Sequence, residues 1–470
     1  MSQVKEKKKS IVNIAFWYLL GDLLVKGLSV LTTPIFSRIL TKQEYGEFSN
    51  FTSWEGILLV IVTLDLATTV SRAKYDFDEH INEYISSIVA VSNVFTIIIY
   101  IIIELNADFF MKLFSMDMFS IRLLFVYFMF EPAYSYMQIK HRMYMKYKFF
   151  IFFSVVSALL RTGVSLFLVY FTQDKLQGRI IGYIVPAILL NFCIYIYVYK
   201  KGHTVRWKYC KYALAIGVPL IPHTLANNLL ANSDRIMITN YCGAEKTAIY
   251  SLAYTIASMV ILIRTSLNKV WTPWFFDALN DKKYGVIKAR VTQYVVVFIG
   301  MIIGLMLLAP ELVLIFGGNE YYEARYVIPP VMGGLVCQFI YTLYVNIEIY
   351  EKKTFMISVG TILASGVNIA LNIILIPRLG YKAAAYTTFV GYVALVIFHF
   401  LLVKIVLHKE YIFDNGFFVK SLSVFLIAQI ICTWLYSHMM MRYIVLFLYA
   451  ISIFVLLWSR RKELIEMFRK

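Results

Sequence analysis

The chain has 470 residues, 60% of them hydrophobic and 16% charged, with a formal net charge of +17 and a mean hydropathy of +0.70. A single water-soluble core cannot hide that much apolar surface, because domains split before they reach such a size. The basic excess would suggest a nucleic-acid partner in a soluble chain, but its distribution along this one excludes that reading.

A helix needs about 20 mostly apolar residues to cross a hydrocarbon core of roughly 30 Å. Fourteen spans are predicted in chain order: 11–36, 47–70, 83–103, 118–139, 149–171, 179–199, 213–236, 247–268, 291–315, 326–350, 354–376, 383–403, 419–438 and 442–458. An even number places both termini on one side. With that side cytoplasmic, the inner segments collect Lys5, Lys7–Lys9, Arg72, Lys74, Lys140, Arg142, Lys200–Lys201, Arg206, Lys208, Lys211, Lys352–Lys353 and Arg460–Lys462 among others. By this topology about 30 of the 45 basic residues lie inside and about 11 outside, the bias that the positive-inside rule requires. The fold class expected is all-α integral membrane. The first apolar stretch is too long for a cleavable signal peptide and contains Asp22 and Lys26. The five cysteines are scattered without CxxC or Cys/His ligand spacing, so neither a disulfide framework nor a metal is expected.

Tyr45-Gly46-Glu47-Phe48-Ser49 recurs in kind as Thr247-Ala248-Ile249-Tyr250-Ser251, about 200 residues later. Each half opens with a basic segment, and each holds a later turn of small residues, Gly178–Gly182 and Ala383–Ala385. The expected organisation is a six-helix bundle over 1–205, a second over 206–405, and two extra helices with a basic tail over 406–470. Six spans per half give parallel repeats, as in carriers whose substrate path lies at the repeat interface.

Ionisable groups inside a bilayer are costly and therefore functional candidates. Asp22 and Lys26 are one turn apart in the first span and either neutralise each other or line a cavity. Asp65 in span two is a cation or proton site, or a partner for Lys26 or Arg264. Arg161 is central in span five and Arg264 lies in span eight, neither with an acid within a turn; Glu131 in span four is the expected partner of Arg161. Asp234 and Arg235 read as an ion pair near the outer end of span seven. That span also holds Gly217, Pro219, Pro222, His223, Asn227, Asn228 and Asn232. The two prolines predict a kink that serves as a hinge. The asparagines either face sugar hydroxyls or bind another helix. Asp76-Phe77-Asp78 has the DxD pattern of metal-dependent glycosyltransferases, but it sits in a short charged loop where solvated acids are the ordinary explanation.

Ala231-Asn232-Ser233-Asp234-Arg235-Ile236-Met237-Ile238, followed by Gly243-Ala244-Glu245 and Ile249-Tyr250-Ser251-Leu252-Ala253-Tyr254, resembles the central signature of the oligosaccharide flippases. These are the Wzx-like members of the multidrug/oligosaccharidyl-lipid/polysaccharide exporter superfamily. Leu314–Gly318 with Tyr322-Glu323-Ala324 and Pro329, Asn372–Gly380 with Ala383–Ala385, and Arg38-Ile39-Leu40 with Glu44-Tyr45-Gly46 are similar to further family segments. The resemblance implies a transporter of the bacterial cytoplasmic membrane, not an enzyme. Its substrate would be an undecaprenyl-pyrophosphate-linked oligosaccharide, its surroundings membrane lipid, and its neighbour in the pathway a glycan polymerase. On that reading Arg161, Arg264 and Lys26 bind the pyrophosphate, Asn227 and Asn228 the sugars, and Asp22, Asp65 or Glu131 could carry a proton or sodium ion. No other cofactor is expected. A multidrug/cation antiporter or a lipid II flippase of the same superfamily, and more remotely a membrane glycosyltransferase, are the alternatives.

Overall fold

The computed structural model describes the backbone of residues 2–459, with the side chains of most residues from Leu20 onward. The side chain of Asp22 lies outside the described residues, so its pairing with Lys26 does too. All regular structure among the described residues is helical. The first unit of the chain contributes α1 (Ser2–Ile39), α2 (Lys42–Thr63), α3 (Val70–Asp76), α4 (Ile81–Leu105), α5 (Ala107–Phe114) and α6 (Met118–Met143). There follow α7 (Tyr147–Phe171), α8 (Lys175–Gly202), α9 (Trp207–Gly217), α10 (Ile221–Cys242) and α11 (Ala244–Asn280). The chain continues with α12 (Tyr284–Leu307), α13 (Ala309–Gly317), α14 (Ile328–Tyr350) and α15 (Thr354–Leu379), then α16 (Lys382–Leu401), α17 (Asn415–Leu435) and α18 (Met439–Ser459).

Ten of the described helices are long and apolar enough to cross a membrane, and two bent pairs bring the number to 12. The shorter apolar stretch Met439–Val455 in α18 and the long α1 complete the correspondence with the predicted spans. The protein is a multi-pass membrane protein. Several starts are fixed by side-chain caps, as the exposed first N–H groups of a helix require. Thr41 and Glu44 form a reciprocal capping box at α2, while Asp174 accepts from the Gln177 N–H at 2.9 Å to open α8.

Span nine needs correction: it was expected to run unbroken over 291–315, but α12 ends at Leu307 and Pro310 stands in the first turn of α13. A helix would bond the N–H of residue 310 to the carbonyl of Met306, and proline has no N–H to give. Tyr436 supplies the missing donor, its hydroxyl 2.8 Å from the Met306 oxygen. Arg442 donates to the Leu307 carbonyl at 3.0 Å and forms a two-pronged ion pair with Glu311. Thus α17 and α18 are tied to the broken span by the groups that the break leaves bare.

The helices pack as two compact units, one formed by residues up to Ser251 together with Phe355–Thr387, the other by Leu252–Thr354 and the chain from Thr388. In the first, α7 lies along α8 and α2 along α10. Small residues permit such closeness where lipid offers no hydrophobic drive. A Cβ on Gly182 would stand 2.3 Å from the Cα of Ser165, and one on Gly46 would stand 1.8 Å from the backbone oxygen of Ala244. The two segments that echo one another in sequence, around Tyr45 and Thr247, are therefore in contact through Gly46. Gly46→Ala is expected to destabilise the purified protein by about 2 kcal/mol or more, read as a fall in melting temperature. Gly366→Ala, which meets nothing within 4 Å, is expected to leave the melting temperature unchanged.

Candidate functional site

In the first unit α1, α6 and α7 enclose a pocket of about 240 Å³ whose polar lining is Lys26, Tyr134, Gln138, Ser154, Ser157 and Arg161. Tyr134 and Ser154 share a hydrogen bond of 2.7 Å, and the Gln138 amide donates to the Tyr134 hydroxyl at 3.3 Å. Hence two of the sequence-predicted cations, Lys26 and Arg161, share one wall system.

Arg161 is also held by α8 and α2. Its Nε donates to the Tyr183 carbonyl at 2.8 Å, and its guanidinium lies 3.6 Å from the centroid of the Tyr183 ring. The acid that faces it is Glu55, with Nη2 3.8 Å from Oε1, and the Tyr183 hydroxyl donates to the other Glu55 oxygen at 3.1 Å. Glu131, the partner expected from the sequence, makes no ion pair within 4 Å, among the described residues, and its buried Oε2 accepts no hydrogen bond. The reason is packing: α2 and α8 approach one another, so span two delivers a carboxylate to Arg161. Arg161 Nη2 still has no hydrogen-bond partner. Glu55 was readable in the sequence as an acid inside 47–70, between Trp54 and Gly56.

A helix break and a 3-10 turn meet in the same unit. Leu64 and Asp65 take left-handed backbone angles, with φ of 51° and 52°, and the helices on either side bend by 56°. The prolines of span seven give a 3-10 turn, Val218–Leu220, between α9 and α10. A Cβ on Gly217 would lie 3.1 Å from the Leu64 carbonyl, so the break and the turn adjoin. Asp65 is buried and accepts from the Thr224 hydroxyl at 2.8 Å, and among the described residues it makes no ion pair with Lys26. Asn227 is exposed and bonds His223 at 3.2 Å, while Asn228 bonds the Thr224 carbonyl at 3.0 Å and comes near Gly56 of α2.

Three of the quoted sequence strings converge on Asp234, which is 1% exposed. It accepts hydrogen bonds from the Tyr250 hydroxyl and, at 2.7 Å, from the Asn372 amide. Thr387 donates in turn to Asn372 Oδ1. Arg235 reaches the Ala231 carbonyl at 3.1 Å and Asn232 at 3.5 Å.

In the second unit Arg264 approaches Thr342 of α14 at 3.4 Å. No carboxylate lies within 4 Å of it among the described residues, and its buried Nε has no hydrogen-bond partner. Sequence reasoning did not join Glu348 to His399, which are hydrogen-bonded at 2.6 Å. They lie 51 positions apart on different helices, and nothing local marks the pairing.

Residues 11–279 match the family described as polysaccharide biosynthesis protein. The chain belongs to that family. This bears out the resemblance to the oligosaccharide flippases. A protein of the Lsg locus of Haemophilus influenzae is 25% identical over 413 residues, 83% of this chain and 97% of that one. The inward closed structure of the lipid II flippase MurJ is similar with a TM-score of 0.70 at 15% identity, covering 96% of this chain and all of that one. An inward-facing multidrug resistance MATE transporter of the MOP superfamily is similar at 0.60 with 12% identity, over 82% of this chain and 95% of that one. At such identities the likeness is one of fold. The chain is thus a polysaccharide biosynthesis membrane protein with the fold of MOP transporters.

Removing a donor from a buried carboxylate leaves it short of a hydrogen bond. Asn372→Ala is therefore expected to destabilise the protein by about 2 kcal/mol, lowering the melting temperature. Asn227→Ala, at an exposed position, is expected to leave it unchanged.

Proposed function

We propose that the protein flips an undecaprenyl-pyrophosphate-linked oligosaccharide from the inner to the outer leaflet by alternating access. The observation that carries this reading is Arg161. In a polysaccharide biosynthesis chain, it lines a pocket together with Lys26 and is held by Tyr183 and Glu55, its Nη2 making no hydrogen bond beyond the 3.8 Å pairing with Glu55. A guanidinium offers a planar fork of donors matched to phosphate oxygens. The pair with Glu55 is long, at 3.8 Å, and is not closed by a hydrogen bond at Nη2. Arg264 presents a second unneutralised guanidinium during the cycle, and the polyprenyl tail stays in lipid.

Export of an anion from an inside-negative cell is favourable by about 2.3 kcal/mol per charge per 100 mV. If the cationic side chains neutralise the substrate on the way out, their empty return moves positive charge inward, which is favourable too. Both termini and the Lys200–Lys211 connector are proposed to be cytoplasmic, on the asymmetry of basic residues. A cysteine placed at Lys208 in a chain otherwise free of cysteine is expected to resist an impermeant maleimide in intact spheroplasts. Ready labelling would invert the topology.

Glycan display in a strain lacking the native gene, corrected for protein level, tests the pyrophosphate assignment. Alanine at Arg161 or Arg264 is expected to lower it by about tenfold or more, and Arg264→Lys by less, since charge is kept and the fork lost. Full display with alanine at both positions would place the anion site elsewhere.

A further inference from the structure

The second unit holds a pair of titratable side chains that the proposed anion chemistry does not use. Glu348 of α14 and His399 of α16 are both wholly buried, and the carboxylate Oε1 lies 2.6 Å from the imidazole Nδ1. A contact that short requires a proton between the two atoms. The remaining polar atoms, Glu348 Oε2 and His399 Nε2, are also buried and have no hydrogen-bond partner. The Tyr341 ring stacks on the imidazole at 5.6 Å and Phe398 meets its edge, and both side chains of the pair are wholly buried.

A purely structural hydrogen bond between two helices would not need two ionisable groups. Each orphan atom is costly when buried, and an amide or hydroxyl pair could be fully satisfied. What this pair can do, and an amide pair cannot, is change its proton count. With only the bridging proton it carries one negative charge. With a second proton, on Nε2 or equivalently on Oε2, it is neutral as imidazolium against carboxylate or as imidazole against carboxylic acid. No bond to another atom forms or breaks. The neutral form is the one that hydrocarbon favours.

The other titratable groups around α14 are not bonded to this pair, although the Tyr294 hydroxyl and Arg264 Nε are themselves buried without a hydrogen-bond partner. Tyr344 donates to Asn415 at 2.7 Å, Glu351 pairs with Lys409 at 3.5 Å, and Tyr294 of α12 packs on Phe339. Lys404 lies over Phe400, and Arg264 reaches α14 at Thr342. None of them bonds to Glu348 or His399. We propose that Glu348 and His399 together form an exchangeable proton-binding site, the coupling-ion site of the carrier. This deepens the transport reading and rests on it for its purpose. Closure on every side is what an occluded ion site needs, because a proton held there cannot return to the side it came from until the helices move. Taken up from the outer face and released inside, the proton runs opposite to the exported glycan.

The test uses the purified full chain in liposomes on a solid-supported membrane, with a jump of bath pH from 8 to 6 and no glycan present. A transient proton-binding current above that of empty liposomes is expected. Glu348→Gln keeps the shape and an oxygen acceptor for Nδ1–H but cannot take the charge, and should shrink the current about fivefold or more. His399→Gln, the second variant, should do the same, whereas Glu351→Gln at the helix end should not. Monodisperse elution of each variant is the folding control. No current from the wild type, or an undiminished current in both variants, overturns the site. Because no glycan is present, failure of the flippase reading shows separately, as a chain that binds the proton but displays no glycan.

Discussion

Bare backbone carbonyls are costly in hydrocarbon, and prolines inside spans create them. Much of this structure is arranged around answering that cost. Pro310 leaves the Met306 carbonyl without its helical donor, and the Tyr436 hydroxyl and the Arg442 guanidinium bring α17 and α18 against the gap. Arg442 in turn needs a counter-charge at that depth, which Glu311 provides. In the other unit the left-handed turn at Leu64 and Asp65 lies against Gly217, next to the proline-bearing turn of span seven. Buried Asp65 is answered there by Thr224. Breaks in spans are thus where side chains from elsewhere are fastened.

The buried carboxylates divide by how fully they are answered. Asp234 has donors on both oxygens, as does the half-buried Glu311. Glu55 has Tyr183 on one oxygen and Arg161 facing the other. These hold helices together. Glu131 and Glu348 each keep one oxygen bare, and fully satisfied networks are the ones that rigidify. An incompletely answered acid in a membrane bundle retains the capacity to gain a proton or a ligand, which is why it carries more functional interest than the better-dressed acids.

Much of the fold was legible in the sequence because a bilayer imposes one length scale, and runs such as 83–103 and 383–403 meet it without ambiguity. The errors came where local chemistry overrides hydropathy. An apolar run over 291–315 hides the break that Pro310 imposes, since hydropathy is blind to a missing N–H. Individual charges could be found from their depth, as Arg161, Arg264 and Asp65 were. Their partners could not, because Glu55 joins Arg161 and Glu348 joins His399 through the packing of separate helices. The strings around Asp234, Tyr250 and Asn372 were recognisable as family segments, yet only the folded chain shows that they are hydrogen-bonded to one another.

That last contact has a consequence for biosynthesis. The unit containing Asp234 is discontinuous: its final pieces, Phe355–Thr387, are translated only after the chain has passed through Leu252–Thr354. Until α15 emerges from the ribosome, the Asp234 carboxylate has already entered the bilayer without the amide of Asn372, 138 positions downstream. A nascent chain therefore carries an incompletely solvated acid through several rounds of helix insertion. The early helices cannot reach their final packing one after another in the order of synthesis. Full satisfaction of Asp234 waits until α15 is in place.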